Sequence, residues 1–174
     1  MNRKREKHLL HLKFWKAYIS ENQLSAEEGD SLWCVIDVDR WPQEQIEELY
    51  MFCAQKKNWH LVISNPCIEI WLLYHKLCDL SKLGILTAKD AKQALDKLEK
   101  GGYYYIKYLP LMLNAIENAR KADANPDGYM PEHLQTKVYM LGQALYERMG
   151  KVRFDKFVAS LPSIEKDILR HTKG

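Results

Sequence analysis

The sequence predicts an α/β fold: a small parallel sheet made by one β-α-β unit, followed by a largely helical C-terminal half. Three observations carry this. "SLWCVID" (31–37) and "WHLVIS" (59–64) are short apolar runs without clear alternation, the pattern of strands buried on both faces and so of parallel pairing. Between them, Pro42 stands where the first turn of a helix needs no donor, and a helix is expected from there to about Asn58. A parallel pair joined by such a crossover should be right-handed. Beyond residue 64 the apolar spacing is helical throughout.

Length and composition frame this reading. The chain has 174 residues, 47% hydrophobic and 28% charged, which suits one folded domain and excludes a disordered chain. Within that domain, 1–28 reads as a helical N-terminal extension and 79–174 as the helical part. The formal net charge of +3 is too small to name a partner. "NRKREKHLLHLKFWK" (2–16) does concentrate basic residues, as a solvated helix face or as a phosphate-contacting arm. Cysteines at 34, 53, 67 and 78 lack the CxxC spacing of a zinc site and read as small residues in a reducing compartment. The longest apolar run, 66–74, is interrupted by Glu69 and too short to span a bilayer. A cytoplasmic protein without a membrane segment is the expectation.

The elements follow in order. Residues 4–22 carry a helical apolar stripe, and Gly29 is the expected turn residue after it. Asn65 reads as an N-cap with Pro66 in the first turn of a helix over 66–78. Thr87 caps a helix over 88–100, ended by Gly101 and Gly102. Residues 103–122 form a helix with Pro110 near its start, and "DANPDGYMPE" (123–132) is a loop dense in turn residues. Helices over 132–149 and 152–170 complete the chain. Two strands alone rarely make a stable sheet. The edge beside Trp33, Val35, Leu61 and Ile63 should therefore be covered by helix 4–22, by a partner or by a second copy of the chain.

The chemistry is expected at the carboxyl edge of the sheet, where parallel strands gather functional groups. Asp37 and Asp39 end the first strand two residues apart, on one side of an extended chain. Glu69 lies one turn into the helix after the second strand, inside an apolar run. Three carboxylates at one edge repel unless a divalent cation neutralises them, and ligation by oxygen alone suits Mg²⁺ or Mn²⁺ rather than zinc. The plainer alternatives are a capping pair before Pro42, and for Glu69 a favourable helix dipole or an ion pair. The joint placement of all three favours the metal. His75 reads as a satisfied core histidine. Lys107, within "GGYYYIKY", either neutralises a phosphate or snorkels from the core. The neighbouring tyrosines read as core and rim residues, and His8 and His11 lack a third ligand.

"VIDVDRW", "ISNPCIEIWLLYH" and "YYYIKYLPLMLNAIENARKADANPDGYMPEHLQTKVYMLGQAL", in that order, resemble the RloB family over roughly residues 30–146. That family is similar to Toprim-type nucleases and is associated with bacterial phage defence and restriction loci, often beside an AAA-type ATPase. The resemblance implies a Mg-dependent, Toprim-like nuclease or a nuclease-derived defence component. The alternative is a non-catalytic relative that binds nucleic acid or an ATPase partner, with homo-oligomers open to either. By the resemblance, Asp37 and Asp39 match the metal-binding Asp-x-Asp pair. Asn65 and Glu69 match the SNPxxE segment, and Lys107, Arg120 and Thr136 match C-terminal motif positions. The implied catalytic set is then Asp37, Asp39, Glu69 and Lys107, with Asn65, Arg120 and Thr136 towards substrate. The sequence departs from the family in one respect: nothing before residue 30 resembles its "EGExTE"-like turn, whose glutamate serves Toprim chemistry, and Glu6 sits in a basic segment instead.

Overall fold

A computed structural model describes residues 13–25, 30–99 and 104–171, with side chains as far as residue 162. A helix over 13–21 (α1) precedes strand β1 (Leu32–Asp37), which passes into a 3-10 turn, Val38–Arg40. Helix α2 (Gln43–Cys53) crosses to strand β2 (Trp59–Ser64), and α3 (Glu69–Tyr74) follows. The helical half holds α4 (Ala88–Leu98), α5 (Tyr105–Tyr108), a 3-10 turn at Leu109–Leu111, α6 (Met112–Ala122), α7 (Val138–Met149) and α8 (Lys151–His171).

The two strands pair in parallel, from Leu32 opposite Trp59 to Asp37 opposite Ser64. Because side chains alternate across a strand, the sheet feeds two apolar clusters. Leu32, Cys34 and Ile36, with Leu61 and Ile63, pack under Ile46, Leu49 and Phe52 of α2. Trp15 and Ile19 of α1 close the same cluster from the side. On the opposite face, Val62 joins Ile70, Leu73 and Tyr74, which pack against α4, α6 and α7. Ile70 and Leu73 are fully buried, and each such side chain contributes roughly 1.5–3 kcal/mol. Helices α6 and α7 approach closely at Gly142, where a Cβ would stand 3.2 Å from Ile116 Cγ1 and 3.4 Å from Trp71 Cη2.

Several expectations need correction. The two strands are not buried alike. β2 is buried from Leu61 to Ser64, but Val35 on β1 is 41% exposed, because the helices of that face lie over β2. Asn65 does not cap a helix. Its N–H donates to the Gln135 carbonyl, its carbonyl accepts from Leu134 N–H, and it joins Pro66 through a cis peptide bond. Engaged on both sides by 134–135, the chain cannot enter a helix at residue 66, and α3 begins only at Glu69. The same pairing delays the start of the helix expected at 132 to Val138. Residues 134–136 run instead alongside the end of β2, with an antiparallel bridge between Ser64 and Thr136. Pro110 divides the helix expected over 103–122, placing a 3-10 turn between α5 and α6. Thr87 does cap α4, through a reciprocal box with Asp90, but the helix ends at Leu98. Gly29, Gly101, Gly102, His8, His11 and the start of the basic N-terminal segment lie outside the described residues.

Candidate functional site

The carboxyl ends of both strands meet three other stretches of chain at one corner. Asp37 closes β1 opposite Ser64. The chain then leaves the extended conformation, and the 3-10 turn carries Asp39 towards the Asn65–Pro66 bend, where its N–H donates to the Pro66 carbonyl over 3.1 Å. Ser64 Oγ lies 2.7 Å from Thr136 Oγ1, both residues fully buried. Asp37, Ser64 and Thr136 thus form a row across three adjacent segments. Asn65 Nδ2 donates to the Pro131 carbonyl and pins the far side of the corner.

The structure brings Asp37, Asp39 and Glu69 into one electrostatic neighbourhood. Burial, then the Asp39 carboxylate, then the Glu69 carboxylate, hold the Asp37 carboxyl above its usual range. The Ile68 N–H, which donates to Asp37, and Arg40 act the other way. Arg40 Nε stands 3.8 Å from Asp39 Oδ2 on an exposed side chain, an ion pair of the kind worth little in water. Glu69 Oε2 is buried and has no hydrogen-bond partner among the described residues. The Cys67 thiol donates to the Ala88 carbonyl, and burial first, then the neighbouring Glu69 side chain, push it up to about 12. Cys67 therefore stays protonated and offers no thiolate to a metal. A buried anionic oxygen without a partner costs several kcal/mol or attracts a cation. The donors at this corner are hard oxygens, which fits Mg²⁺ or Mn²⁺. Among the described residues no group of three or more His, Cys, Asp and Glu side chains is already drawn together to hold a metal ion. The three carboxylates are neighbours that a cation would have to gather.

The other expected residues fall elsewhere. Lys107 Nζ binds Glu99 Oε1 at 3.0 Å, and Lys76 binds the other oxygen of Glu99. Lys76 first, then Lys107, lower the Glu99 carboxyl. This trio lies past the far end of α3 from Glu69, so Lys107 does not line the acidic corner. Arg120 is exposed on α6, and its positive charge is felt by Glu117 and Tyr139. His75 is buried, with Nδ1 3.0 Å from the Trp71 carbonyl and its ring edge-on to Trp71 and Tyr108. Burial lowers its pKa, as a core histidine requires.

One cluster escaped the reading of the sequence. Lys137 is buried, and its Nζ donates to Asp123 Oδ2 at 2.6 Å and to the Asn125 carbonyl at 2.5 Å. Tyr139 OH donates to the same Asp123 oxygen at 2.7 Å. Asp123 begins the turn-rich loop and Lys137 follows Thr136, so the pair ties both ends of the 123–137 segment together. The alternation of Gln135, Lys137 and Tyr139 was the available signal, masked by the assumption that a helix begins at 132.

A parallel β-α-β unit with an acidic corner at its carboxyl edge, backed by a helical half, defines the class of this protein. The chain belongs to the RloB-like protein family, whose model matches residues 2–145. No curated protein and no solved structure matches it. No described helix is long and apolar enough to cross a membrane.

Proposed function

We propose that this RloB-like protein is a divalent-metal-dependent nuclease, acting in the cytoplasm as part of a bacterial anti-phage system. The single observation that carries the reading is the buried, unpartnered Glu69 Oε2 beside Asp37 and Asp39. These carboxylates would hold Mg²⁺ or Mn²⁺. Such an ion, when bound at a nuclease site, orients the attacking water and neutralises charge on the leaving oxygen. Asn65 and Thr136 act as positioning residues, since their hydrogen bonds fix the 64–66 stretch, to which Asp39 N–H donates at Pro66 and with which Asp37 pairs at Ser64. Arg120, exposed and cationic, is available to contact a phosphate. Lys107 serves the Glu99 ion pair and is given no catalytic role.

A second reading has one observation in its favour: no three-ligand cluster is already formed among the described residues. In that reading the corner is a retained relic, and the chain binds nucleic acid or an AAA-type ATPase partner without cleaving anything. Incubation of the purified protein with plasmid, single-stranded DNA and tRNA, in Mn²⁺, Mg²⁺ or EDTA, separates the two. Metal-dependent cleavage lost in Asp37→Ala and in Glu69→Gln supports the nuclease. Cleavage of none of the substrates, with intact binding, supports the relic.

A further inference from the structure

Beside the outer edge of β2, at the end of that strand away from Asp37, lies a cavity of about 180 Å³ between α2, the 126–129 loop and the start of α7. The hydrogen bonding of β2 determines what this cavity offers. Asn58 O accepts from Leu32 N–H, so the even-numbered residues bond to β1. The odd-numbered residues face outward: Ile63 O accepts from Lys137 N–H, and Asn65 N–H donates to Gln135 O. Leu61, which lines the cavity, therefore turns one N–H and one C=O towards it, and no described segment pairs with them. Backbone groups of this kind are obligatory hydrogen-bonding sites. Two stacked ring pairs flank the same edge, Trp33 on His60 and Tyr50 on Tyr129, each with centroids 4.1 Å apart. Trp59 Nε1 is buried there without a partner among the described residues.

The cavity wall carries one carboxylate, Asp127, and no free cation among the described residues. Burial lowers the pKa of His60, leaving its ring uncharged near neutral pH. The Lys137 ammonium is occupied by Asp123 and the Asn125 carbonyl. An anionic group gains little here. A flat, neutral heterocycle that sets a hydrogen-bond acceptor beside a donor gains both backbone bonds and contact with ring faces, on which any base can stack. A cavity of about 150 Å³ accepts a single benzene ring, so this one has the scale of a fused bicycle. We infer that the cavity binds a purine base, read by the Leu61 N–H and C=O on the purine's acceptor–donor edge. This site is separate from the acidic corner, and the inference does not depend on metal binding there.

The test is quenching of tryptophan fluorescence in the full chain on titration with adenosine, guanosine and uridine. Saturable binding of at least one purine nucleoside is expected, at least tenfold tighter than uridine. The matching blocked analogue, N6,N6-dimethyladenosine or 1-methylguanosine, should bind at least tenfold more weakly than its parent. Two cavity-filling variants at exposed positions, Ala54→Phe and Met140→Trp, should each weaken binding at least tenfold while keeping the wild-type unfolding midpoint. A single-stranded oligonucleotide carrying one purine distinguishes the sources: if it competes, the base comes from a strand, and if it fails, from a free nucleoside or nucleotide. Either result upholds the pocket. Binding of neither purine overturns it, as does equal binding of uridine, equal binding of the blocked analogue, or unchanged affinity in both folded variants.

Discussion

Ser64 Oγ and Thr136 Oγ1 lie 2.7 Å apart in the interior, where the end of β2 meets the segment leading into α7. Ser64 is the register partner of Asp37, so this contact fixes the chain on the far side of Asp37 from the solvent edge of β1. Thr136 Oγ1 also accepts from Val138 N–H and helps start α7.

Thr136→Val should therefore destabilise the fold. The substitution keeps the shape but leaves Ser64 and the Val138 N–H without partners, a loss of about 1–3 kcal/mol. Thr136→Ser should recover at least half of it. Urea unfolding of the three proteins measures this; equal midpoints would mean the contact carries no stability.

Lys137→Met leaves the buried Asp123 without its cation, answered only by the neutral Tyr139 hydroxyl and Asn125 N–H. Breaking a buried pair on one side costs about 3–5 kcal/mol, whereas replacing both partners by apolar groups costs much less. Lys137→Met should unfold at clearly lower urea than Lys137→Met combined with Asp123→Leu. The opposite order would show that the pair is not the unit.

The acidic corner has its own pH signature. The Asp37 carboxyl is raised above its ordinary 3.8 by burial and by Asp39 and Glu69. A carboxyl raised on folding contributes stability that is fully present below its unfolded value and lost as pH rises through the folded value. At neutral pH, without metal, the ionised Asp37 is thus a destabilising group. Asp37→Asn should raise the melting midpoint at pH 7 in EDTA, and the gain should vanish towards pH 3. A gain of the same size at both pH values would contradict the repulsion among the three carboxylates.

Much of this architecture was legible in the residues. The apolar runs at 32–37 and 59–64 announce a parallel pair, and their spacing alone assigns Asp37, Asp39 and Glu69 to its carboxyl edge. Two things were not legible. Asn65-Pro66 carries a strong helix-start signal, yet the backbone of Asn65 is claimed by residues seventy positions later in the chain, and local propensity does not register such a partner. Lys107 stood out as a cation near tyrosines, but Glu99, at the end of α4, holds it. In both cases a bond to a partner in another element outweighed a local pattern. The buried Lys137 was missed for the same reason: a lysine at an assumed helix start reads as solvent-facing until its partner Asp123 is seen.

Sharing of one divalent cation by Asp37, Asp39 and Glu69 is tested most directly by calorimetric titration of Mn²⁺ into the wild type, Asp37→Ala and Glu69→Gln. One site of modest affinity is expected in the wild type, since an ion of this class keeps several waters and takes few protein ligands. Each variant should lose at least tenfold in affinity while remaining folded by circular dichroism. Equal heats from all three proteins would contradict the claim, leaving the aspartates as structural groups ahead of α2 and Glu69 Oε2 as a buried oxygen without a partner.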